Sequence, residues 1–214
     1  MKLVSLKRGV LIVFEGIDGA GKSTQAKLLF EELAKAGFET IFSREPTDGE
    51  WGRKLQGLIQ NGRDDIDPRE ELELFVRDRR EHVEKVISPG LNAKKIVILD
   101  RYYFSTIAYQ GALGLDCEEI ERRNTEFAPP PDILFLVQIP PASGIRRITE
   151  TRGQGADFFE REGYLVKVEE IFNRLSKPFL YRLNGEETAQ RLEKQAREIV
   201  FQWLRERDLV EKDE

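Results

Sequence analysis

Residues 16 to 23 read Gly16-Ile17-Asp18-Gly19-Ala20-Gly21-Lys22-Ser23 and fit G-x-x-x-x-G-K-[ST]. That spacing suits a polyphosphate. The glycines let successive backbone N–H groups curl around anionic oxygens, and a helix opening near Lys22 would add the partial positive charge of its N-terminus. Lys22 would reach the β- and γ-phosphates, while the Ser23 hydroxyl would ligate Mg²⁺. The apolar run Val10-Leu11-Ile12-Val13-Phe14 leads into the loop and an amphipathic stretch follows it, so the motif stands in the strand–loop–helix context it needs. Nucleoside triphosphate binding over residues 16–24, Thr24 included, is the expectation.

A second group belongs to the same chemistry. Ile96-Val97-Ile98-Leu99-Asp100 is an apolar strand ending in a carboxylate, and an aspartate at that edge beside a P-loop can hold Mg²⁺ directly or through water. No [NT]-K-x-D sequence occurs, so nothing specifies guanine and ATP is the expected donor. Arg44 (in Ser43-Arg44-Glu45-Pro46) and Arg101 (in Asp100-Arg101-Tyr102) both fall at C-terminal strand edges, where open α/β sheets bind ligands. Two guanidiniums there suit an acceptor that already carries a phosphate. The structural alternative is ion pairing of Arg44 with Glu45, or of Arg101 with a helix carboxylate.

The elements that must hold these groups follow from composition and periodicity. A chain of 214 residues, 40% hydrophobic and 34% charged, is large enough for one α/β domain over residues 1–214. The net charge of −5 argues against a surface that coats nucleic acid. Cys117 is the only cysteine, so no intramolecular disulfide is possible and a reducing, cytoplasmic setting is expected. No apolar run reaches membrane-spanning length, and Lys2, Lys7 and Arg8 lead into a strand rather than a signal-peptide core. His82, the only histidine, lies in a charged helix and reads as a surface residue. Short β-branched runs alternate with helical patterns, which predicts a doubly wound parallel sheet flanked by helices. The candidate strands are residues 10–14, 40–43, 96–99, 133–137 and 179–183. Helices are expected from Lys22 to a stop at Gly37 (apolar Ala26, Leu29, Leu33, Ala36), from about Pro68 to Ile87 before Pro89-Gly90, and over roughly 186–207. Pro129–Pro131 reads as a stiff loop before a strand, and residues 210–214 as a frayed tail.

Taken together the chain resembles the thymidylate kinases, the dTMP kinase family, over nearly its whole length. The parts that carry the resemblance are Phe14-Glu15-Gly16 through Gln25, Arg44-Glu45-Pro46, Phe75-x-x-x-Arg79, Asp100-Arg101-Tyr102 with Ser105, and Ala108-Tyr109-Gln110-Gly111. The resemblance implies a five-stranded P-loop fold with a lid and transfer of the ATP γ-phosphate to dTMP. It implies that Arg44 and Arg101 hold the dTMP phosphate and that Phe75 stacks on thymine. Arg79 would donate on the thymine O4 side, Asp18 would lie near the 3′-OH, and Tyr109 would pack where a ribose 2′-OH would project. Ser105 and Gln110 would help read the base. It further implies a homodimer. Independently, Phe75 and Arg79 stand four apart on one helix, so both project from one face. Core packing is the alternative for Phe75.

Phosphoryl transfer needs positive charge on the migrating group. The variable P-loop positions hold no arginine, and the family contains a subset in which a mobile lid supplies it. Arg146, Arg147 and Arg152 stand just before Gly153-Gln154-Gly155, with Asp157-Phe158-Phe159-Glu160 beyond, so the lid is placed at about 146–160. Arg152, nearest the glycines, is the expected catalytic residue alongside Lys22, Arg101 and Asp100; Ser23 and Asp100 are the expected metal ligands. A deoxynucleoside kinase remains open through Glu15, a possible general base, as does another nucleoside monophosphate kinase. A non-catalytic nucleotide-binding regulator fits the intact Lys22, Ser23 and Asp100 less well.

Overall fold

Three strands are apolar enough to be buried on both faces, and these form the middle of the sheet. All residues of β1 (Val10–Glu15) and β3 (Ile96–Asp100) are buried, and β4 (Ile133–Gln138) is buried except at its last residue. The less buried β2 (Thr40–Arg44) and β5 (Leu180–Asn184) form the edges, in the order β2-β3-β1-β4-β5 with every pair parallel. The computed structural model describes residues 3–61, 66–152 and 158–211, with side chains at 60–61, 151–152 and 158–161 outside the description.

Each strand runs one residue further at its C-terminal end than the apolar pattern predicts, adding Glu15, Arg44, Asp100, Gln138 and Asn184. A parallel ladder is built from backbone, so the last rung tolerates a polar side chain. The consequence is functional: that row of polar residues lines the edge of the sheet where ligands bind.

The helix α1 (Lys22–Lys35) buries Ala26, Leu29 and Leu33 and ends at Gly37, which takes φ 97°. Ala36 is its exposed C-cap rather than part of the apolar stripe. After α2 (Glu50–Asn61), α3 (Pro68–His82) is capped by the Asp67 carboxylate on the Arg69 N–H. The expected stop at Pro89-Gly90 is absent. A π turn over Val83–Ile87 sends the Ser88 N–H back to Val83 O, and the widened turn lets the chain continue through Pro89 as α4 (Ser88–Asn92). The remaining helices are α5 (Tyr103–Ala112), α6 (Cys117–Thr125), α7 (Pro141–Arg152), α8 (Phe158–Arg174) and α9 (Ala189–Glu206). The last begins three residues later than expected, because the Thr188 hydroxyl caps the Arg191 N–H. Part of the expected tail is held: Val210 bridges Leu6, and the Glu211 N–H donates to Ser5 O. Residues 212–214 of that tail lie outside the described residues. Among the described residues no helix is long and apolar enough to cross a membrane.

Candidate active site

The donor side is built from backbone. Gly16 and Gly19 have φ of 140° and 80°, and a Cβ on either would stand 2.3 Å from a carbonyl oxygen, of Val137 and Gly144 respectively. No other residue fits both the conformation and the approach. Gly21 caps α1 at φ 95° without a side-chain bond, so the first-turn N–H groups stay directed at the loop. Lys22 lies buried with Nζ 2.7 Å from Ile17 O. Burial and the Arg101 charge lower its pKa to about 8, against the pull of Asp18, Asp100 and Glu15.

Ser23 and Asp100 come together as expected: the Ser23 hydroxyl donates to Asp100 Oδ2. Asp100 Oδ1 is buried with no hydrogen-bond partner. An orphaned carboxylate oxygen beside a hydroxyl is a hard-cation donor pair, and it fits Mg²⁺ arriving with a nucleotide. No group of three or more acidic, histidine or cysteine side chains among the described residues has ligating geometry.

On the acceptor side, the β2–β3 register pairs Arg44 with Asp100, so Arg44 and Arg101 stand at the ends of neighbouring strands. Arg101 takes φ 73°, an uncommon conformation for a side-chain-bearing residue. Glu15 holds it there. This fully buried carboxylate accepts the Tyr102 N–H (2.8 Å), the Ser105 N–H (2.9 Å) and the Ser105 hydroxyl, which anchors the start of α5 directly after Arg101. Burial raises Glu15 to about 7, against the opposing effects of Arg101 and these donors. The Arg101 guanidinium pairs with Asp18, donates to Ser105 Oγ at 2.8 Å and lies 5.2 Å from the Tyr109 ring centre. Burial works against its charge, yet Tyr109, Asp18, Glu15 and Asp100 outweigh it and its pKa is raised. Thus Asp18, Arg101, Ser105 and Tyr109 converge, and the carboxylate paired with Arg101 belongs to the P-loop rather than to a helix.

Arg44 is exposed and pairs with Asp48 at 3.4 Å, not with Glu45. Arg79 is anchored instead of open. Its side chain is 1% exposed and makes four hydrogen bonds, two to Glu45 Oε2 (2.9 and 2.6 Å), one to Asn124 Oδ1 (2.6 Å) and one to Thr106 Oγ1 (3.0 Å). Those bonds use four of the five N–H vectors of a guanidinium. Phe75, four residues earlier on α3, is half-buried. Gln110 is fully buried and donates to Glu71 Oε2 at 2.7 Å, with its Oε1 unpartnered.

The lid arginines divide. Arg146 is exposed, whereas Arg147 donates to Gly19 O at 3.3 Å and Gly185 O at 2.9 Å, tying α7 to the P-loop and to the turn after β5. The expectation for Arg152 rests on a side chain outside the described residues, as do Gly153, Gln154, Gly155 and Asp157.

The sequence reading misplaces His82. It is 2% exposed, with Nδ1 3.0 Å from Glu45 Oε1 and Nε2 2.8 Å from Ser43 Oγ. The charged residues around it suggested a surface helix, but α3 turns its Arg79 and His82 side toward the end of β2. The i, i+2 spacing of Ser43 and Glu45, set against the i, i+3 spacing of Arg79 and His82, carried that signal.

A P-loop with two arginines at neighbouring strand ends is compatible with phosphoryl transfer, and comparison with known proteins names the chemistry. A family model for thymidylate kinase matches residues 14–199. The chain belongs to the thymidylate kinase family. It is similar to a thymidylate kinase of Desulfotalea psychrophila, 50% identical over 194 residues that cover 91% of this chain and 94% of that one. A thymidylate kinase of Xanthomonas euvesicatoria is 43% identical over 199 residues, 93% of this chain and 86% of that protein. The crystal structure of a thymidylate kinase from Ehrlichia chaffeensis superposes with a TM-score of 0.67 at 29% identity, covering 90% of this chain and 98% of that one. Family membership makes the chain an ATP-dependent kinase, and the family's reaction is phosphorylation of dTMP to dTDP.

Proposed function

We propose that the enzyme transfers the ATP γ-phosphate to dTMP using the residues gathered above. The observation that carries this reading is the register that sets Arg44 beside Asp100 and Arg101, facing the same edge as the P-loop. The P-loop backbone over residues 16–24 and Lys22 hold the donor phosphates. Ser23 Oγ and Asp100 would hold Mg²⁺, which when bound neutralises phosphate charge. Arg101 and Arg44 position the acceptor phosphate, whose oxygen is already anionic at neutral pH and needs orientation more than deprotonation. Lys22 and Arg152 stabilise the charge that develops on the migrating group.

Phe75 stacks on the base, and the unused N–H of Arg79 reaches its O4 side. Ser105 and Gln110 complete the base contacts, Asp18 lies by the 3′-OH, and the Tyr109 ring fills the space of a 2′-OH. Arg147 and the Asn184-Gly185-Glu186 turn frame the adenine side, since Arg147 spans from that turn to the P-loop. The enzyme acts as a cytoplasmic homodimer.

The bonding of Glu15 weighs against the deoxynucleoside kinase reading. A carboxylate already accepting two backbone N–H groups and a hydroxyl is a positioning group, not a base open to a substrate hydroxyl. A coupled ADP-release assay over all deoxy- and ribonucleoside monophosphates, with thymidine included, tests the proposal. dTMP is expected to be the preferred acceptor. Equal turnover of thymidine would support a nucleoside kinase, and no ADP release with any acceptor would support a regulator.

A further inference from the structure

Five buried or half-buried polar groups form one chain beneath the acceptor arginines. Ser43 Oγ meets His82 Nε2, His82 Nδ1 meets Glu45 Oε1, Glu45 Oε2 takes two N–H groups of Arg79, and Arg79 reaches Asn124. Nothing in the phosphoryl-transfer scheme uses His82, although burying a polar ring completely is costly unless it is bonded.

Glu45 sets the direction of the hydrogen bond at His82 Nδ1. Burial alone would raise this carboxyl, but the Arg79 charge and the His82 bond outweigh it and hold its pKa below the ordinary value. An ionised carboxylate only accepts, so His82 Nδ1–H donates to it, and in the neutral ring Nε2 accepts the Ser43 hydroxyl. The imidazole thus offers one donor and one acceptor to two residues of the same strand end.

The position of that strand end gives the contact its meaning. Ser43 and Glu45 are alternate residues and face His82 on one side of β2. Arg44 lies between them and faces the other way, exposed, with Asp48 as an ion-pair partner. Gripping Ser43 and Glu45 fixes the backbone from which Arg44 projects. The same grip orients Glu45, which in turn aims the planar fork of Arg79.

We infer that His82 is a positioning residue for the acceptor site: it locks the end of β2, fixing the backbone that carries Arg44 on one side and the carboxylate that aims Arg79 on the other. The inference rests on the placement of those two arginines at the acceptor. Asp78, the other carboxylate near this cluster, is engaged by the Thr47 N–H and hydroxyl and ties the next loop residues to α3. Among the described residues no side-chain hydrogen bond of this chain of bonds goes to the P-loop, Lys22 or Ser23, and its one link to the donor side is the backbone bond from the Glu45 N–H to Asp100 O, so the role is assigned to the acceptor.

The experiment compares steady-state constants of His82→Leu, His82→Gln and Ser43→Ala, each checked for a native melting transition. Loss of the donor–acceptor pair in His82→Leu is expected to raise KM for dTMP by about tenfold, with KM for ATP and kcat within about threefold of wild type. His82→Gln, which keeps a donor and an acceptor, should recover most of that loss, and Ser43→Ala should give a smaller rise in the same constant. Equal rises in both KM values, or no change in KM for dTMP in any folded variant, would overturn the inference.

Should His82→Leu not fold, Ser43→Ala and His82→Gln carry the comparison. Ser43→Ala then needs to raise KM for dTMP above that of both wild type and His82→Gln. Arg44→Ala and Arg79→Ala serve as controls: if neither weakens dTMP, the acceptor-site reading itself fails, whereas weakening there with none in the His82 series refutes only the positioning role. Because His82 is the only histidine of the chain, ¹⁵N-histidine labelling gives a mutation-free readout. Its ring resonances should shift on saturation with dTMP and stay in place with an ATP analogue. The absence of a dTMP-induced shift would also count against the inference.

Discussion

The two halves of the proposed site are built on different principles. The donor cradle is backbone: glycines at positive φ, a helix start, and one strand-end aspartate, nearly all within residues 16–23. The acceptor half is side chain, assembled from β2, α3, α5 and α6 through the bonds of Glu15, Glu45, Arg79 and His82. A backbone cradle is set by the fold itself and recognises what every nucleoside triphosphate shares. A side-chain network is adjustable residue by residue, and that is where selectivity for one monophosphate can reside. Damage to the first half should therefore abolish turnover, and damage to the second should redistribute it among acceptors.

The largest expected effect is on the donor side. Lys22→Ala should lower kcat/KM by on the order of a thousandfold or more, equally for every acceptor, because its charge serves the transferring group. The wild-type enzyme carries the same dependence in its pH profile. Lys22 is charged below its pKa of about 8, so kcat/KM for ATP should decline as pH rises through that value. A profile flat to pH 10 would show that Lys22 titrates far higher.

Arg152→Ala comes next, with kcat reduced by about a hundredfold and dTMP affinity nearly unchanged, since the charge is needed in the transition state. Full activity in this variant with loss in Arg146→Ala or Arg147→Ala would keep the lid and reassign its residue. On the acceptor side, rejection of a buried, unpaired 2′-OH costs about 1–3 kcal/mol, so ring contact at Tyr109 is worth roughly ten- to a hundredfold in sugar discrimination. Tyr109→Ala should narrow the kcat/KM ratio between dTMP and its ribose counterpart; an unchanged ratio would make Tyr109 a packing residue only.

The smallest effect is expected for Glu15→Gln. Both backbone N–H groups go to Glu15 Oε1, so the amide oxygen can keep them while the amide nitrogen donates to Ser105 Oγ. We expect less than about a tenfold loss of kcat, against roughly a hundredfold or more if Glu15 were a general base. The charge should show in stability instead. With a folded pKa of about 7 above its ordinary 4.5, the wild-type carboxyl favours the folded state most at low pH, and that contribution is lost as pH rises from about 4.5 to 7. Glu15→Gln removes that slope, measurable by denaturant titration at pH 5 and pH 8.

The same division explains what was legible in the sequence. The donor motif is contiguous, so its residues and context could be read from order alone, and the sheet followed from apolar runs whose C-terminal ends each fell one polar residue short. Arg101 and Asp18 were placed at the site, but their ion pair joins residues 83 apart in the chain. His82 was misread because a helix among charges looks solvated, and its contacts with Ser43 and Glu45 are made across the chain. The continuation past Pro89 was hidden for a related reason: a π turn has no strong local sequence mark.

The account's central claim is that the acceptor half recognises a phosphate through Arg44 and Arg101, and the acceptor ratio tests it most directly. Measured as kcat/KM with ATP and Mg²⁺, dTMP should exceed thymidine by more than about a hundredfold in the wild-type enzyme, and Arg44→Ala should cut that ratio by about tenfold or more. Thymidine has no phosphate to lose, so general damage cancels in the ratio. A ratio left unchanged by Arg44→Ala, or a wild-type enzyme that turns over thymidine as well as dTMP, would contradict the account.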